Sequence, residues 1–378
     1  MRIVVFSSYF YPHKGGVERY VHEIYKRLVK QGIGVDIITC NTNNSPMEEM
    51  IDGMQISRLD CWHLLGGTFP VPKINRRFLR VIQALNKKSF SFANTQTRFF
   101  VLSFIGFLYG KIKGIRVIHT EHGTQHSVLS NPVTNLLSKV YDHTIGYVVT
   151  RYAGFNVAIS DASGQFSRHL GAAQYNIVYN GIDTKKFRRR DTDIKSRIHI
   201  DPQYKIITFV GRLIEAKGVQ DLIEVFEEIR QSYKVKLLVA GSGNYLQELQ
   251  KMAMGNPDII FTGEKSEEEI IELLSITDIF VNPSYSEGLP TSVLEAASCG
   301  CPIIASDVGG TKEILQHGRN GLLFNSKDTG QLSSMIKNLL DNSQARMQYG
   351  AHARETVESK FDWDIIASQY MVFLNKEV

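Results

Sequence analysis

Two basic residues in the second half of the chain are placed where they could act on a charged ligand. Arg212 and Lys217 stand five residues apart in FVGRLIEAKGVQDLI, where a predicted strand passes into a helix. Two cations in such a loop suit a diphosphate, and they would neutralise negative charge that develops on a diphosphate as it departs. Two unrelated surface cations are the alternative interpretation.

A pair of carboxylates follows in SEGLPTSVLEAASCG, where Glu287 and Glu295 are eight residues apart. At this separation they are expected to bracket a ligand rather than act as an acid–base pair, and vicinal ribose hydroxyls would be a suitable partner for a carboxylate on the helix. Gly288 and Pro290 open the predicted helix, with Pro290 in its first turn, where its missing N–H is tolerated. The backbone amides expected to be available to an anion are those of Leu289, Thr291 and Ser292.

A glycine pair, Gly15 and Gly16, lies in YFYPHKGGVERY between the first predicted strand and its helix. Without Cβ atoms, the backbone N–H groups there could approach a phosphate or a sugar closely. The segment is neither GxGxxG nor a Walker loop, which argues against NAD and ATP binding. An ordinary tight turn is the alternative.

Three histidines lie near the end of a predicted strand in VIHTEHGTQH. His122 and His126 are four residues apart, a spacing that metal-binding helices use. Gly123 and the strand-end position argue against a helical pair, so one histidine is expected to face a sugar. No metal site is predicted.

The charge of the chain is unevenly distributed. Residues 1–180 carry 20 Lys and Arg against 10 Asp and Glu, whereas residues 181–378 carry 23 against 28. A basic first half indicates either an acidic partner, such as anionic lipid or a phosphorylated acceptor, or simply a solvated surface. Nucleic-acid binding would rest on charge alone and is not predicted. Several cations lie near the apolar segment Phe99–Tyr109, namely Arg76, Arg77, Arg80, Lys87, Lys88, Lys111 and Lys113. The segment is therefore either a membrane-docking element or a buried helix with a basic rim.

The remaining composition predicts a cytoplasmic protein. The first residues, MRIVVFSSYF, resemble a buried strand rather than a secretory signal. The longest nearly apolar run, Phe99–Tyr109, is well short of the roughly 20 residues that span a bilayer. The four cysteines show neither zinc spacing nor a disulfide framework, so reduced thiols are expected.

The elements that would position these residues alternate between strand and helix, which predicts an α/β fold with parallel sheets. At 378 residues the chain suits two domains. The polar segment Asp183–Tyr204 is the predicted linker. The first-half strands are predicted at Ile3–Ser7, Val35–Thr39, Val117–Thr120 and Asn156–Ile159, and the second-half strands in IITFVGRL, VKLLVAGSG, DIIFTG, TDIFVNPS and CPIIAS.

The order and spacing of six motifs resemble the family-four retaining glycosyltransferases, or glycosyl transferases group 1, of the GT-B fold. The motifs are PxxGGVE, the TxH strand end, NGID, GRLxxxKG, E-x7-E and GGTKE. The resemblance implies two Rossmann-like, doubly wound parallel-sheet domains facing a cleft. Residues 1–190 would bind the acceptor, residues 191–360 would bind the nucleotide sugar, and residues 361–378, with Trp363, would form a helix that crosses back to the first domain.

The same resemblance implies a role for each matching residue. His122 would contact the transferred sugar, and Arg212 and Lys217 would hold the diphosphate. Glu287 would meet hydroxyls of the donor sugar and Glu295 the ribose. Gly15 and Gly16 would lie near the donor diphosphate and the acceptor. Many members have glycine where this chain has Pro290, which would move diphosphate contacts onto the neighbouring amides of Gly288, Leu289, Thr291 and Ser292.

The implied function is retaining transfer of a hexosyl residue from a nucleotide-diphosphate sugar to a saccharide or lipid-linked acceptor in cell-surface glycan biosynthesis. No cofactor or metal is implied beyond the donor substrate, since the two cations would replace a metal and no DxD stands at a strand end. The enzyme would be cytoplasmic, or peripheral on the inner face of the plasma membrane. The alternatives are a GT-B sugar-nucleotide epimerase and a non-catalytic sugar-nucleotide-binding module.

Overall fold

The computed structural model describes residues 1–13, 15–64, 69–126 and 132–377, which form two compact units. The first unit contains Met1–Asn180 together with Trp363–Val378, and the second contains Gly181–Asp362. The sequence predicts domain boundaries after residues 190 and 360, whereas the two units of the structure divide after residues 180 and 362. The segment Asp183–Tyr204 lies in the second unit, where Phe187 is buried and its carbonyl accepts from Ser298 Oγ at 2.6 Å.

The first unit is built on an eight-stranded sheet. Its strands are β1 Arg2–Phe6, β2 Gly34–Cys40, β3 Glu48–Ile51, β4 Met54–Leu59, β7 Phe92–Gln96, β8 Arg116–Glu121, β9 Phe155–Ala158 and β10 Asn176–Ile177, while β5 Cys61–Leu64 and β6 Phe69–Pro72 form a separate antiparallel hairpin. The order across the sheet is β10-β9-β8-β7-β1-β2-β4-β3. All neighbours are parallel except β3 and β4, as expected of a doubly wound fold with one antiparallel edge.

Among the described residues before the second unit, the helices are α1 Gly16–Lys30, α2 Arg76–Asn86, α3 Val101–Ile112, α4 Pro132–Tyr141, α5 Tyr147–Tyr152 and α6 Asp161–His169. A π-helical turn, Asp142–Gly146, joins α4 to α5. Helix α3 lies directly on β1, because a Cβ at Gly106 would be 2.5 Å from Cγ of Phe6. This close packing explains why the α3 sequence is apolar on most sides.

The second unit has a six-stranded, fully parallel sheet. Its strands are β11 Lys205–Val210, β12 Val235–Ala240, β13 Ile259–Gly263, β14 Ile279–Asn282, β15 Ile303–Ser306 and β16 Leu322–Phe324. They follow the order β13-β12-β11-β14-β15-β16. The strand order reverses between β11 and β14: later strands are added outward from β11 on one side, to β13, and outward from β14 on the other, to β16. In such sheets, ligands bind at the carboxyl ends of the strands at this switch point.

The second unit's helices cover this sheet. They are α7 Ile194–Arg197, α8 Val219–Ile229, α9 Leu246–Met252, α10 Glu267–Ser275, α11 Thr291–Ser298, α12 Thr311–Ile314, α13 Thr329–Asp341 and α14 Ser343–Lys360, with a 3₁₀ turn at Glu215–Lys217. Buried side chains of α8 and α13 pack with those of β11 and β12 in one core cluster. Among the described residues no helix has both the length and the apolar character needed to cross a bilayer.

The last helix, α15 Trp363–Lys376, belongs to the first unit and packs on α1. The hydroxyls of Tyr25 and Tyr370 lie 3.2 Å apart, and Arg27 Nε donates to Asp364 Oδ1 at 2.6 Å. Trp363 is fully buried and meets Tyr20 edge to face, with ring centroids 6.1 Å apart. The C-terminal helix is thus an integral part of the first unit.

The predicted α/β class with parallel sheets is confirmed. The four first-half strands lie within one residue of those observed, and each of the five second-half segments overlaps an observed strand. Strand β7 was missed because three of the five residues in its sequence, FANTQ, are polar, although all five are buried. The short strands β3 to β6, β10 and β16 were missed as well.

The turn between β11 and α8 depends on Gly218. This residue has φ +66°, and a Cβ there would lie 2.1 Å from the carbonyl oxygen of Pro283, which follows β14. We expect Gly218→Ala to lower the free energy of unfolding by about 3 kcal/mol or more, since a left-handed alanine costs about 1 kcal/mol and the collision adds to it. Urea unfolding measures the loss.

Gly255→Ala is the matched control, because Gly255 has φ +69° but nothing within 4 Å of its Cβ position. It should lose only the conformational cost of about 1 kcal/mol. Equal losses in the two variants would show that the contact with Pro283 is unimportant.

Candidate active site

An ion pair lies at the switch point of the second sheet. Lys217 ends the 3₁₀ turn after β11, and Glu287 lies in the loop after β14, the neighbouring strand. Lys217 Nζ is 2.7 Å from Glu287 Oε1, with the two side chains 19% and 9% exposed. The sequence predicted that both residues belong to the site, and the structure shows them in direct contact.

The carboxylate of Glu287 is held by its own loop as well. Its Oε1 accepts from Ser284 Oγ at 2.6 Å and from Asn282 Nδ2 at 3.4 Å. Asn282 ends β14, so the strand itself anchors the carboxylate. Three donors on one oxygen fix its direction, which is the property that a group aligning a ligand hydroxyl needs.

Backbone contacts bring the GGTKE motif onto the same loop. Gly310 N donates to Gly288 O at 3.0 Å. Gly309 has φ +52°, and a Cβ there would lie 1.8 Å from the carbonyl oxygen of Glu287. A side chain at residue 309 would therefore push Glu287 out of place.

Arg212 is exposed in the loop that follows β11. The glycines of the Gly241-Ser242-Gly243 turn lie against this loop: a Cβ at Gly243 would be 2.1 Å from Leu213 O, and Leu213 N donates to Ser242 O at 2.8 Å. The sequence predicts only a tight turn at residues 241–243. Because its glycines have no Cβ, this turn after β12 can also pack directly on the backbone that carries Arg212.

Helix α11 begins one residue later than predicted. Pro290, expected in the first turn, is the N-cap, and the first intrahelical bond runs from Val293 N to Pro290 O at 3.1 Å. The amides of Thr291 and Ser292 come before that bond, and so does that of the buried Leu289. Glu295 is half-buried farther along α11.

In the first unit, His122 follows β8 directly and is half-buried. Its Nε2 lies 2.8 Å from Gln96 Oε1, at the end of the neighbouring strand β7, and Tyr20 meets its ring edge to face at 5.0 Å. Burial lowers the pKa of His122 to about 4, with Glu121 acting in the opposite direction. At neutral pH the ring is therefore uncharged and can exchange hydrogen bonds with sugar hydroxyls.

A buried charge network that no sequence motif indicated holds the loop of His122. Glu121 Oε1 accepts from the amides of His122 and Gly123, at 2.9 and 2.7 Å, and from Arg98 Nη1 at 2.8 Å. Arg98 also binds both carboxylate oxygens of Asp142, at 3.0 and 3.1 Å. The sequence shows that these charged residues lie beside apolar segments. It does not show that Arg98 pairs with Glu121 and Asp142, because the three are far apart along the chain.

The ionised state of Glu121 follows from these contacts. Burial alone would raise its pKa, but Arg98, His119 and the amide of Gly123 together bring that pKa well below its usual value. The carboxylate therefore stays charged and keeps accepting the two loop amides.

Gly15 and Gly16 lie at the start of α1, as expected. Gly15 is the N-cap, and a Cβ there would lie 2.4 Å from Oε2 of Glu18, whereas Gly16 has open space around it. Glu18 is buried, and its Oε1 is 3.2 Å from His13 Nδ1. A carboxylate therefore already lies at this helix N-terminus, which makes the position better suited to a hydroxyl than to a phosphate.

The low pKa of His122 predicts how stability depends on pH. Between pH 4 and the ordinary histidine value near 6.5 the unfolded chain binds more protons than the folded one, so stability rises with pH across this range. We expect His122→Gln to remove about 1–2 kcal/mol of the stability difference between pH 7 and pH 5. Denaturant unfolding at both pH values measures it, and the exposed His63→Gln is the control; an unchanged pH dependence in His122→Gln would contradict the assignment.

Comparison with known proteins places this geometry in a family. The model described as "Glycosyl transferases group 1" matches residues 191–356, and that described as "Glycosyltransferase Family 4" matches residues 14–186. An uncharacterised glycosyltransferase of Methanocaldococcus jannaschii is 31% identical over 98% of this chain and 97% of its own. A GDP-mannose-dependent phosphatidylinositol monomannoside mannosyltransferase of Mycobacterium tuberculosis is 26% identical over 99% of this chain and 98% of its own.

Solved structures agree on the fold. Sucrose-phosphate synthase of Thermosynechococcus elongatus aligns with a TM-score of 0.80 at 21% identity, covering 99% of this chain and 98% of its own. The HepE protein of Anabaena in complex with UDP-glucose aligns with a TM-score of 0.78 at 18% identity, covering 100% of both chains. With matching models across both halves and a relative aligned along almost its whole length, this chain belongs to the family-four glycosyltransferases of the GT-B fold.

Proposed function

We propose that this glycosyltransferase transfers a hexosyl residue, with retention of anomeric configuration, from a nucleotide-diphosphate sugar to a saccharide or lipid-linked acceptor in cell-surface glycan biosynthesis. The observation that carries the proposal is the 2.7 Å contact between Lys217 and Glu287 at the switch point of the second sheet. It sets a cation and a fixed carboxylate side by side where such sheets bind nucleotides.

Lys217 suits the diphosphate of a nucleotide-sugar donor, and Glu287 suits its sugar. The ammonium of Lys217 has three N–H groups, so while it donates to Glu287 it can also donate to a diphosphate. Arg212, exposed in the same β11–α8 connection, adds a second cation. Glu287 can accept hydroxyls of the donor sugar, and Glu295 on α11 those of the ribose. The amides near the start of α11, with those of Gly288 and Leu289, add uncharged donors for phosphate oxygens.

The chemical step in this proposal is a same-face substitution. The bond from the anomeric carbon to the diphosphate oxygen breaks, the acceptor oxygen bonds to that carbon on the same face, and the acceptor proton passes to a donor phosphate oxygen. Arg212 and Lys217 stabilise the charge on the departing diphosphate, which in other enzymes is a task for a divalent metal. We propose that the reaction needs no metal and no cofactor besides the donor.

His122 is the first unit's contribution in this proposal. Since its ring is neutral and oriented by Gln96 and Tyr20, it can donate to or accept from a hydroxyl of the transferred sugar without changing the charge of the site. Gly15, Gly16 and the carboxylate of Glu18 would meet hydroxyl groups at the start of α1.

A lipid-linked acceptor is supported by a relative and by the surface of the first unit. The mycobacterial relative is named for a GDP-mannose donor and a phosphatidylinositol mannoside acceptor. In this chain, most of α3 is buried, as one of the two interpretations expected, whereas the apolar face of α4 is exposed. Its four apolar residues, Val133, Leu136, Leu137 and Val140, are 51–65% exposed.

Exposed cations lie on α4 and on two other helices of the first unit. Lys139 lies on α4 itself, Arg151 is exposed on α5, and Lys111 and Lys113 are exposed at the end of α3, which packs with α5. Two cations of the basic rim that the sequence predicts form ion pairs instead: Arg77 pairs with Glu48, and Lys88 pairs with Asp36. We propose that α4 docks on the anionic inner face of the plasma membrane and that the enzyme is otherwise cytoplasmic.

The leaving-group role predicts the effect of removing each cation. A screen of nucleotide sugars by thermal shift identifies the donor, and NMR of the product reports the anomeric configuration. With that donor, Arg212→Ala and Lys217→Ala should each lower kcat about 100- to 1,000-fold, as expected for losing one donor to developing charge.

Arg230→Ala and Lys251→Ala remove cations of the same unit that pair with Glu227 and Glu248, and they should leave kcat unchanged. Thermal unfolding of each variant separates lost catalysis from lost folding. Near-wild-type kcat in both Arg212→Ala and Lys217→Ala would refute the leaving-group role, and an inverted product would refute retention.

The docking role predicts salt-dependent binding to anionic vesicles. The wild-type protein should float with phosphatidylglycerol vesicles at low salt and be released at high salt. Leu136→Gln/Leu137→Gln should weaken this binding about tenfold or more, because buried apolar area on α4 is lost. The control, Met254→Gln/Met347→Gln, removes exposed apolar residues of the second unit and should bind like wild type; absence of wild-type binding at low salt would end the proposal.

A further inference from the structure

Three histidines from three different elements meet on the first unit. His126 lies in the loop after β8, His143 in the π-helical turn, and His169 at the end of α6. One ring nitrogen of each lies within 4.8 Å of those of the other two. His126 is half-buried, whereas His143 and His169 are exposed. None of the three has a place in the proposed transfer reaction.

The donor set is one that first-row divalent metals prefer. Three imidazole nitrogens with a water molecule make a four-coordinate zinc site, with zinc–nitrogen bonds of about 2.0–2.1 Å and nitrogens about 3.4 Å apart. Rotations about the side-chain torsions of His143 and His169 can close the remaining gap, since both rings are at the surface. The ring contacts already present, with centroids 5.1 to 6.1 Å apart, show that the three side chains share one small region.

A buried carboxylate orients the least exposed of the three rings. His126 Nδ1 lies 2.7 Å from Asp142 Oδ2, which leaves its Nε2 as the nitrogen for a metal. Asp142 is itself fully buried and held by Arg98. A ligating histidine whose second nitrogen is bonded to a carboxylate is the usual arrangement of protein metal sites, since the carboxylate fixes the ring and makes it more basic.

The local backbone is unusual in the same place. Asp142 and His143 open a five-residue π-helical turn between α4 and α5. Such turns are rare in proteins, and those that do occur are often found at functional sites. Phe166 adds support, because its ring meets that of His126 edge to face at 5.2 Å and stacks on that of His169 at 6.1 Å.

We propose that His126, His143 and His169 bind one zinc ion, with Asp142 as the carboxylate that orients His126. The histidines that the sequence brought together, His119, His122 and His126, are not this set. None of the three histidines is among the residues proposed to bind the donor, and the zinc ion is not proposed to act on the diphosphate.

The same contacts give the ion a consequence beyond its own site. Asp142 binds Arg98, Arg98 binds Glu121, and Glu121 accepts the amides of His122 and Gly123. A zinc ion on His126 would hold one end of this chain of ion pairs in place. Zinc would therefore stiffen the loop of His122 without touching a substrate.

Metal binding to the full-length protein tests the site directly. Equilibrium dialysis of the metal-free protein with zinc should show one ion per chain bound with micromolar or tighter affinity. Cobalt, used as a probe, should give the visible absorption of a four-coordinate ion. Zinc should also raise the melting temperature. His143→Ala/His169→Ala should lower zinc affinity at least 100-fold, abolish the cobalt spectrum and remove the thermal shift.

The control is His199→Asn/His352→Ala, which removes two histidines from the second unit and should bind zinc like wild type; asparagine suits the left-handed φ of +54° at residue 199. Circular dichroism checks that each variant folds. Should the double variant fail to fold, His143→Ala alone, at an exposed position, should lower zinc affinity at least tenfold. Absence of stoichiometric binding by wild type, or undiminished binding by the histidine variants, would overturn the proposal.

Discussion

The edge of the second sheet depends on backbone contacts that only glycine allows. Gly218 lies against the carbonyl of Pro283, and Gly309 against that of Glu287, at distances where no Cβ fits. Both glycines have left-handed φ angles, so any other residue would be strained as well as too large. These contacts bring the connections after β11, β14 and β15 to one place, and the pair of Lys217 and Glu287 is the result.

In the first unit, a different kind of interaction holds the loop that carries the site residue. Its loop after β8 is held by the buried charges of Arg98, Glu121 and Asp142 rather than by close backbone packing. Removing one partner of such a network leaves an unpaired buried charge and costs about 3–5 kcal/mol, so the arrangement is rigid. It fixes the amides of His122 and Gly123, while Tyr20 packs on the His122 ring and Trp363 packs on Tyr20. Helix α15 therefore supports the position of His122, although the two are more than 200 residues apart in the sequence.

Several sequence predictions failed for identifiable physical reasons. Strand β7 was missed because burial, not alternation, decides which residues of a central parallel strand are tolerated. The polar segment after residue 183 was taken for a linker, yet Phe187 and Arg189 fasten it to the second unit. For helix α3, the structure shows the buried alternative, because Gly106 packs against Phe6, and the exposed apolar face belongs to α4 instead. In each case, tertiary contacts outweighed the local pattern.

The sequence by itself determined the fold class and the family, and it placed Lys217, Glu287 and His122 at strand ends. These properties are local: they follow from strand–helix alternation and from short motifs whose residues are close along the chain. Only the tertiary structure decided that Lys217 contacts Glu287, that Arg98 joins Glu121 to Asp142, and that three distant histidines meet around Asp142. Such partners are set by the order of strands in each sheet and by the packing of helices on it, and neither is visible in the spacing of residues.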